Sequence, residues 1–336
     1  MKCILHIGDQ KNGSKSIQRF INTEKKLLAK SGMFSPATTK TGFYDAGLAA
    51  YAGVNQAFFR DFAQDHRGPT DAEQMRSLIR KNLEAELIEH SGDVPIFSFE
   101  GLLHFDRQQI SNLKDLFFNL FDEIDIVVFL RRQDRKAVSD FTTRLLHGQI
   151  TSSPLTKQEG GPIGIPKKEH NFDYLASVHR WKDGFPSSSI SVFRYEDCPD
   201  VVGVLCGYLG LKDTRARSAL SLNPAMSAAG QAVMLYFNEF LSKEAPFKNL
   251  ENKHLMLRQE VRKAFPGRGL LPSRAQAEVF YGNFRDDNIA LGKLVDTEDE
   301  DFFDNDFSNY PVEIMHLQVD ETDARQKFQA ALDILD

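Results

Sequence analysis

The sequence predicts an α/β fold with a central, mostly parallel sheet flanked by helices and a helical C-terminal part. Two observations carry this. Four short apolar runs, at residues 3–7, 94–99, 124–130 and 190–195, are each the length of one buried strand. Stretches with helical periodicity separate them, which is the pattern of right-handed strand–helix–strand units whose sheet is covered on both faces.

The elements follow in order. Residues 3–7 form a strand that ends at Gly8. A polar loop leads into a helix whose apolar face carries Ile17, Phe20, Ile21, Leu27 and Leu28, stopped by Ser31-Gly32. A polar helix over roughly 71–90 precedes the second strand at 94–99. Residues 124–130 give the strongest strand signal in the chain, and a helix over 174–181 leads to the fourth strand at 190–195. The stretch from 147 to 170 holds Gly160, Gly161, Pro162, Gly164 and Pro166 with no periodicity, which predicts a lid or substrate loop. From residue 212 to 336 the chain is predicted mainly helical, with an apolar pattern through 233–241. The acidic run 296–306, with Phe302 and Phe303 inside it, is expected to be a solvated segment pinned by those two rings. The whole, residues 1–336, is predicted to be one elaborated domain.

Composition narrows the function. A hydrophobic fraction of 41% supports a large core, and a net charge of −6 gives no global basic field to hold nucleic acid. No run reaches the ~20 apolar residues of a membrane helix, and the N-terminal run is too short for a signal peptide, so a cytoplasmic protein is expected. Cys3, Cys198 and Cys206 are odd in number and lack C-x-x-C spacing, which predicts neither a disulfide framework nor a zinc site. Any anion site must be local.

Two segments offer one. His6-Ile7-Gly8-Asp9-Gln10-Lys11-Asn12-Gly13-Ser14-Lys15-Ser16 joins a strand to a helix, where glycine-exposed backbone N–H groups and the helix dipole favour phosphate. The spacing misses a Walker A loop: Gly8 and Gly13 fit, but Ser14 takes the lysine position and Lys15-Ser16 come one place late. Further on, Arg131 stands at the end of the strongest strand, and Ser139 lies on the second turn of the helix after it. A guanidinium fork and a hydroxyl so placed can converge on one anion.

Lys11-Asn12-Gly13-Ser14-Lys15, within Leu5-His6-Ile7-Gly8 … Ser16-Ile17-Gln18, resembles the phosphosulfate loop of bacterial sulfotransferases that use 3′-phosphoadenosine 5′-phosphosulfate (PAPS). Arg131 and Ser139 resemble that family's 3′-phosphate site. Weaker likenesses follow in order at Trp181 … Phe185 … Arg194-Tyr195-Glu196, at 222–227 and at 281–288. The resemblance implies a P-loop-type fold and an enzyme that moves a sulfuryl group from PAPS to a hydroxyl, a saccharide or glycolipid being the acceptor class, with no metal. It implies that Lys11 stabilises the released phosphate oxygen. Within a cofactor-binding loop of Lys11, Asn12, Gly13, Ser14, Lys15 and Ser16, Ser14 and Lys15 would hold the 5′-phosphate, with Arg131 and Ser139 on the 3′-phosphate. Ser98-Phe99-Glu100-Gly101-Leu102-Leu103-His104 resembles the segment that carries the general base, with Glu100 as the base and His104 as its alternative. The sequence departs from the family at Asn12 and Lys15, where Thr and Thr or Ser are usual. Two other readings stay open: a kinase or ATPase working through Lys15 and Ser16, and a pseudoenzyme that binds a nucleotide or glycan without turnover.

Overall fold

The computed structural model describes residues 1–36, 46–53, 72–155, 171–211, 225–243, 251–297, 299–317, 322 and 326. Most of the loop expected over 147–170, from 156 onward, lies outside them, as do residues 212–224. The chain groups into two compact units, each drawn from three stretches of sequence. The first comprises the described residues within Met1–Arg131, His170–Leu220 and Asp287–Phe303, and the second the described remainder.

In the first unit β1 (Lys2–Gly8) leads through a tight loop to α1 (Ser14–Thr23). The chain breaks at Glu24 and continues as α2 (Lys25–Lys30), followed by the two-residue strand β2 (Met33–Phe34). After α3 (Ala46–Ala52) and α4 (Ala72–Glu89) come β3 (Val94–Glu100), a 3-10 turn at Leu102–His104, and α5 (Arg107–Phe117). The strand β4 (Glu123–Leu130) ends beside the boundary between the units, at which α6 (Gln133–Leu146) begins. The chain re-enters the first unit at α7 (Tyr174–Gly184), and β5 (Ser189–Arg194), a second 3-10 turn and α8 (Val201–Tyr208) follow.

The five strands are all parallel, in the order β2-β3-β1-β4-β5. The alternation of Cβ directions along each strand divides the core between two layers of helix. On one face Ile4, Ile96, Val127 and Phe129 pack with Ile17, Phe20 and Ile21 of α1 and with Val202 and Leu205 of α8. On the other, Phe97 meets Phe117 edge-on at 5.1 Å, and Phe117 meets Phe185 at the end of α7. A three-layer α/β fold with a parallel sheet is therefore what the sequence predicts. Because β1 lies between β3 and β4, which the chain reaches on opposite sides, the carboxyl end of β1 is the topological switch point where ligands of such sheets bind.

The second unit is helical. There α6 packs with α9 (Ala228–Lys243), α10 (Glu251–Ala264) and α11 (Arg274–Gly282) around Phe141, Leu145, Met234, Phe237 and Leu270. A further helix, α12 (Arg285–Leu294), belongs to the first unit from Asp287 onward. Among the described residues no helix is long and apolar enough to cross a membrane.

The acidic run departs from its expectation. Phe302 and Phe303 are buried as predicted, but Asp301 is buried as well, and Asp304 bonds Arg132 and Arg135 instead of facing only water. A carboxylate next to a buried guanidinium is held by charge-assisted hydrogen bonds that solvation alone would not supply.

Candidate functional site

The site is built at the carboxyl end of β1. Gly8 closes the strand, and a Cβ there would fall 2.8 Å from Ser14 Oγ and 2.9 Å from the Phe99 carbonyl oxygen, so only glycine fits. Gly13 opens α1 with φ of 82°, and its Cβ would lie 2.6 Å from Val201 Cγ2. Between them Lys11 also takes a left-handed φ, 65°, which disfavours a residue with a Cβ. The guanidinium of Arg131 steadies that turn by donating from Nη1 to the Lys11 carbonyl oxygen at 3.2 Å.

Asp9 organises the inside of the loop. It is 1% exposed. Its Oδ1 accepts from Gln10 N–H at 2.6 Å and lies 2.7 Å from His104 Nε2, and its Oδ2 accepts from Asn12 Nδ2 at 3.0 Å. Its backbone oxygen accepts from the Ser14 hydroxyl at 2.8 Å. Asn12 is wholly buried and donates also to the Phe129 carbonyl oxygen at 2.9 Å, which ties the loop to β4.

Of the loop residues singled out from sequence, Asn12 and Ser14 thus direct their side-chain donors into the protein. Lys11 and Ser16 are half-buried and Lys15 is exposed. The first turn of α1 contains no acidic residue, and Gly13 as N-cap offers no side-chain acceptor to its amides. The loop therefore presents helix amides and two lysines as the means of holding an anion.

Glu100 stands at the end of β3, in register with Gly8, and Gly101 N–H donates to the Gly8 carbonyl oxygen at 2.9 Å. The backbone then turns at Gly101, φ 105°, into the 3-10 turn that carries His104. Asp106 and Gln109 form a capping box at the start of α5, which fixes the chain just past His104. His104 Nδ1 is buried with no hydrogen-bond partner among the described residues.

Arg131 follows β4. Its guanidinium lies 4.8 Å from the centroid of the Tyr195 ring, its Nε is 3.9 Å from Glu196 Oε1, and its carbonyl oxygen accepts from the Tyr174 hydroxyl at 2.8 Å. Burial, with Asp9 and Glu196 adding to it, pushes the Tyr174 phenol well above its ordinary value, so it remains a donor. In the first unit the fold thus gathers Lys11, Glu100, His104 and Arg131 at one end of the sheet. Ser139 is on α6 in the second unit, and its pairing with Arg131 stays an expectation of the sequence.

Asp9 and Tyr174 escape a reading of the sequence. The role of Asp9 depends on a partner that lies 95 residues away along the chain. Tyr174 has no local motif at all. Among the described residues no group of three or more His, Cys, Asp or Glu side chains could hold a metal ion.

No family model matches the chain, and no curated protein matches it. Among solved structures the chain is similar to one described as the crystal structure of a sulfotransferase from Alicyclobacillus acidocaldarius, with 16% identity and a TM-score of 0.39, covering 71% of this chain and 92% of that one. A superposition that loose carries no weight for function.

Proposed function

We propose that the first unit binds PAPS at the loop after β1 and transfers its sulfuryl group to a hydroxyl acceptor. The observation that carries this reading is the hydrogen bond from Arg131 to the Lys11 carbonyl oxygen. It joins the two segments that the sequence set apart as phosphate sites, which are 120 residues distant along the chain.

In this reading the acceptor oxygen bonds to sulfur while the bond from sulfur to the phosphate oxygen breaks. Glu100 at the edge of β3 takes the acceptor's proton, with His104 as the second candidate. Lys11 offsets the charge that develops on the departing phosphate oxygen, and the amides at the start of α1 with Lys15 hold the 5′-phosphate. Arg131 holds the 3′-phosphate through its planar fork. A saccharide or glycolipid hydroxyl is the acceptor class that the sequence resemblance suggests.

Calorimetric titration with 3′-phosphoadenosine 5′-phosphate (PAP), 5′-AMP, ADP and ATP·Mg²⁺ tests the reading. PAP should bind best, and Arg131→Ala should weaken it by at least tenfold, about 1.4 kcal/mol or more, and should weaken 5′-AMP by less, through the loosened Lys11 turn alone. Preference for ATP·Mg²⁺ would sink the proposal in favour of a kinase or ATPase.

A further inference from the structure

The helix α7 buries Tyr174, Ser177, Val178 and Trp181 on one side. Asp173, Ala176, Arg180 and Asp183 recur three or four residues apart, which sets them in a stripe along another side. This stripe, with Arg107 at the start of α5 and Asp287 of α12, lines a groove of about 500 Å³ that belongs wholly to the first unit.

Guanidiniums and carboxylates therefore face one space. Arg180 is fixed there, donating from Nε to the Phe105 carbonyl oxygen at 3.1 Å and from Nη2 to the Ser177 hydroxyl at 2.8 Å. Burial lowers its pKa, while the nearby Asp173 and Asp106 act in the opposite sense. Asp173 caps α7, accepting from Ala176 N–H at 3.0 Å, and Arg107 is placed by the capping box of α5.

This lining selects a class of ligand. A guanidinium only donates and a carboxylate only accepts, whereas a sugar hydroxyl does both and can satisfy either. An anion would meet the carboxylates of Asp173, Asp183 and Asp287, and a cation would meet the guanidiniums of Arg107 and Arg180. A neutral polyol meets neither repulsion. Leu175 and Ala176, both half-buried, add an apolar patch for the C–H face of a ring. The groove also stands close to a candidate base. Arg107 follows His104 by three residues, so their Cα atoms are no more than about 11 Å apart, a distance that a short oligosaccharide spans.

We propose that this groove holds a neutral saccharide, the part of the acceptor that adjoins the hydroxyl to be sulfated. The inference rests on the reading of the first unit as a sulfotransferase, and it gives the acceptor a place and a charge class that the loop after β1 does not supply.

The test is ligand-observed NMR titration of the full chain with methyl glucoside, maltose, cellobiose, lactose and N-acetylglucosamine, and with glucuronate and glucosamine as charged counterparts. Wild type, Arg107→Ala and Asp183→Ala are compared, and PAP is titrated into each by calorimetry. Arg107 and Asp183 are exposed, so both variants keep the fold. At least one neutral sugar should bind wild type, with PAP saturating as well as without it. Each variant should weaken that sugar by about tenfold and leave PAP affinity unchanged. Normal PAP binding with no neutral sugar bound, with only glucuronate or glucosamine bound, or with sugar binding indifferent to both variants overturns the inference and leaves the nucleotide reading intact. Displacement of the sugar by PAP overturns it too, because the sugar would then occupy the nucleotide loop. Failure of wild type to bind PAP overturns the sulfotransferase reading and the acceptor role together, whether or not a sugar binds.

Discussion

His6 lies in the middle of β1, opposite Ser98 in the parallel register, with its Nδ1 2.7 Å from the Ser98 hydroxyl. Complete burial lowers its pKa from 6.5 to about 3. The unfolded chain therefore binds a proton at this residue between about pH 6.5 and pH 3 that the folded chain does not. Stability rises with pH through that window, and what His6 costs as pH falls grows by up to about 1.4 kcal/mol per unit. His6→Gln should lower stability at pH 7 by about 1 kcal/mol through the altered bond to Ser98. It should also shrink the loss between pH 7 and pH 5 by about 2 kcal/mol, as urea unfolding at the two pH values would measure. At this scale the sequence was partly readable. Lys11 and Arg131 stand out because their residue types and strand-end positions suit an anion. Asp9 does not, because its meaning depends on His104, which only the register of β1 with β3 brings near.

The strands were legible because each is a short apolar run, mostly buried along β1, β3 and β4 and half-buried along the edge strand β5, and the structure places β1, β3, β4 and β5 within a residue or two of the runs in the sequence. The break at Glu24 was not. Ile17, Phe20, Ile21, Leu27 and Leu28 keep one helical period, and Leu28 still packs with the α1 residues in one core although the backbone has changed course. The two residues of β2 are too few for any periodicity, and only pairing with Val94 and Pro95 of β3 defines them. The turn from β1 to α1 has a sharper requirement. Gly13→Ala should cost about 2–4 kcal/mol, from a left-handed backbone and from overlap with Val201. Adding Val201→Ala should leave the backbone part of the defect and relieve the overlap, so a double-mutant cycle by chemical denaturation should show coupling above 0.5 kcal/mol. Additive losses would mean that Val201 yields without strain.

By its contacts the chain groups into two compact units of three stretches each, so neither can be excised with a single cut. Contacts between residues far apart in sequence leave no local signature, which is why this grouping is not legible in the sequence. The second unit depends on one such set. Wholly buried Arg132 donates to both carboxylate oxygens of buried Asp134, at 2.8 and 2.9 Å, and its Nη1 donates to Asp304 Oδ1 at 2.6 Å. The Tyr310 hydroxyl donates to Asp134 Oδ2 at 2.6 Å, and the Phe307 ring lies 4.2 Å from the guanidinium. Asp134→Ala takes the buried carboxylate from two Arg132 hydrogen bonds and from the Tyr310 hydroxyl and should cost about 3–5 kcal/mol, whereas Asp304→Ala, at a side chain 44% exposed, should cost about 1 kcal/mol or less. Thermal unfolding of the two variants checks the contrast, and amide exchange should show the residues from 304 to 310 opening first in Asp134→Ala.

The first unit also contains the single tryptophan of the chain. Trp181 has no exposed surface, stacks on Phe185 and donates from Nε1 to the Leu102 carbonyl oxygen at 3.1 Å, in the same short turn that carries His104. Its fluorescence therefore comes from one place, a dry aromatic layer directly behind the candidate site. With no other indole in the chain, the emission reports on that turn and does not sample the helical unit. The fold thereby gives the site a native optical probe.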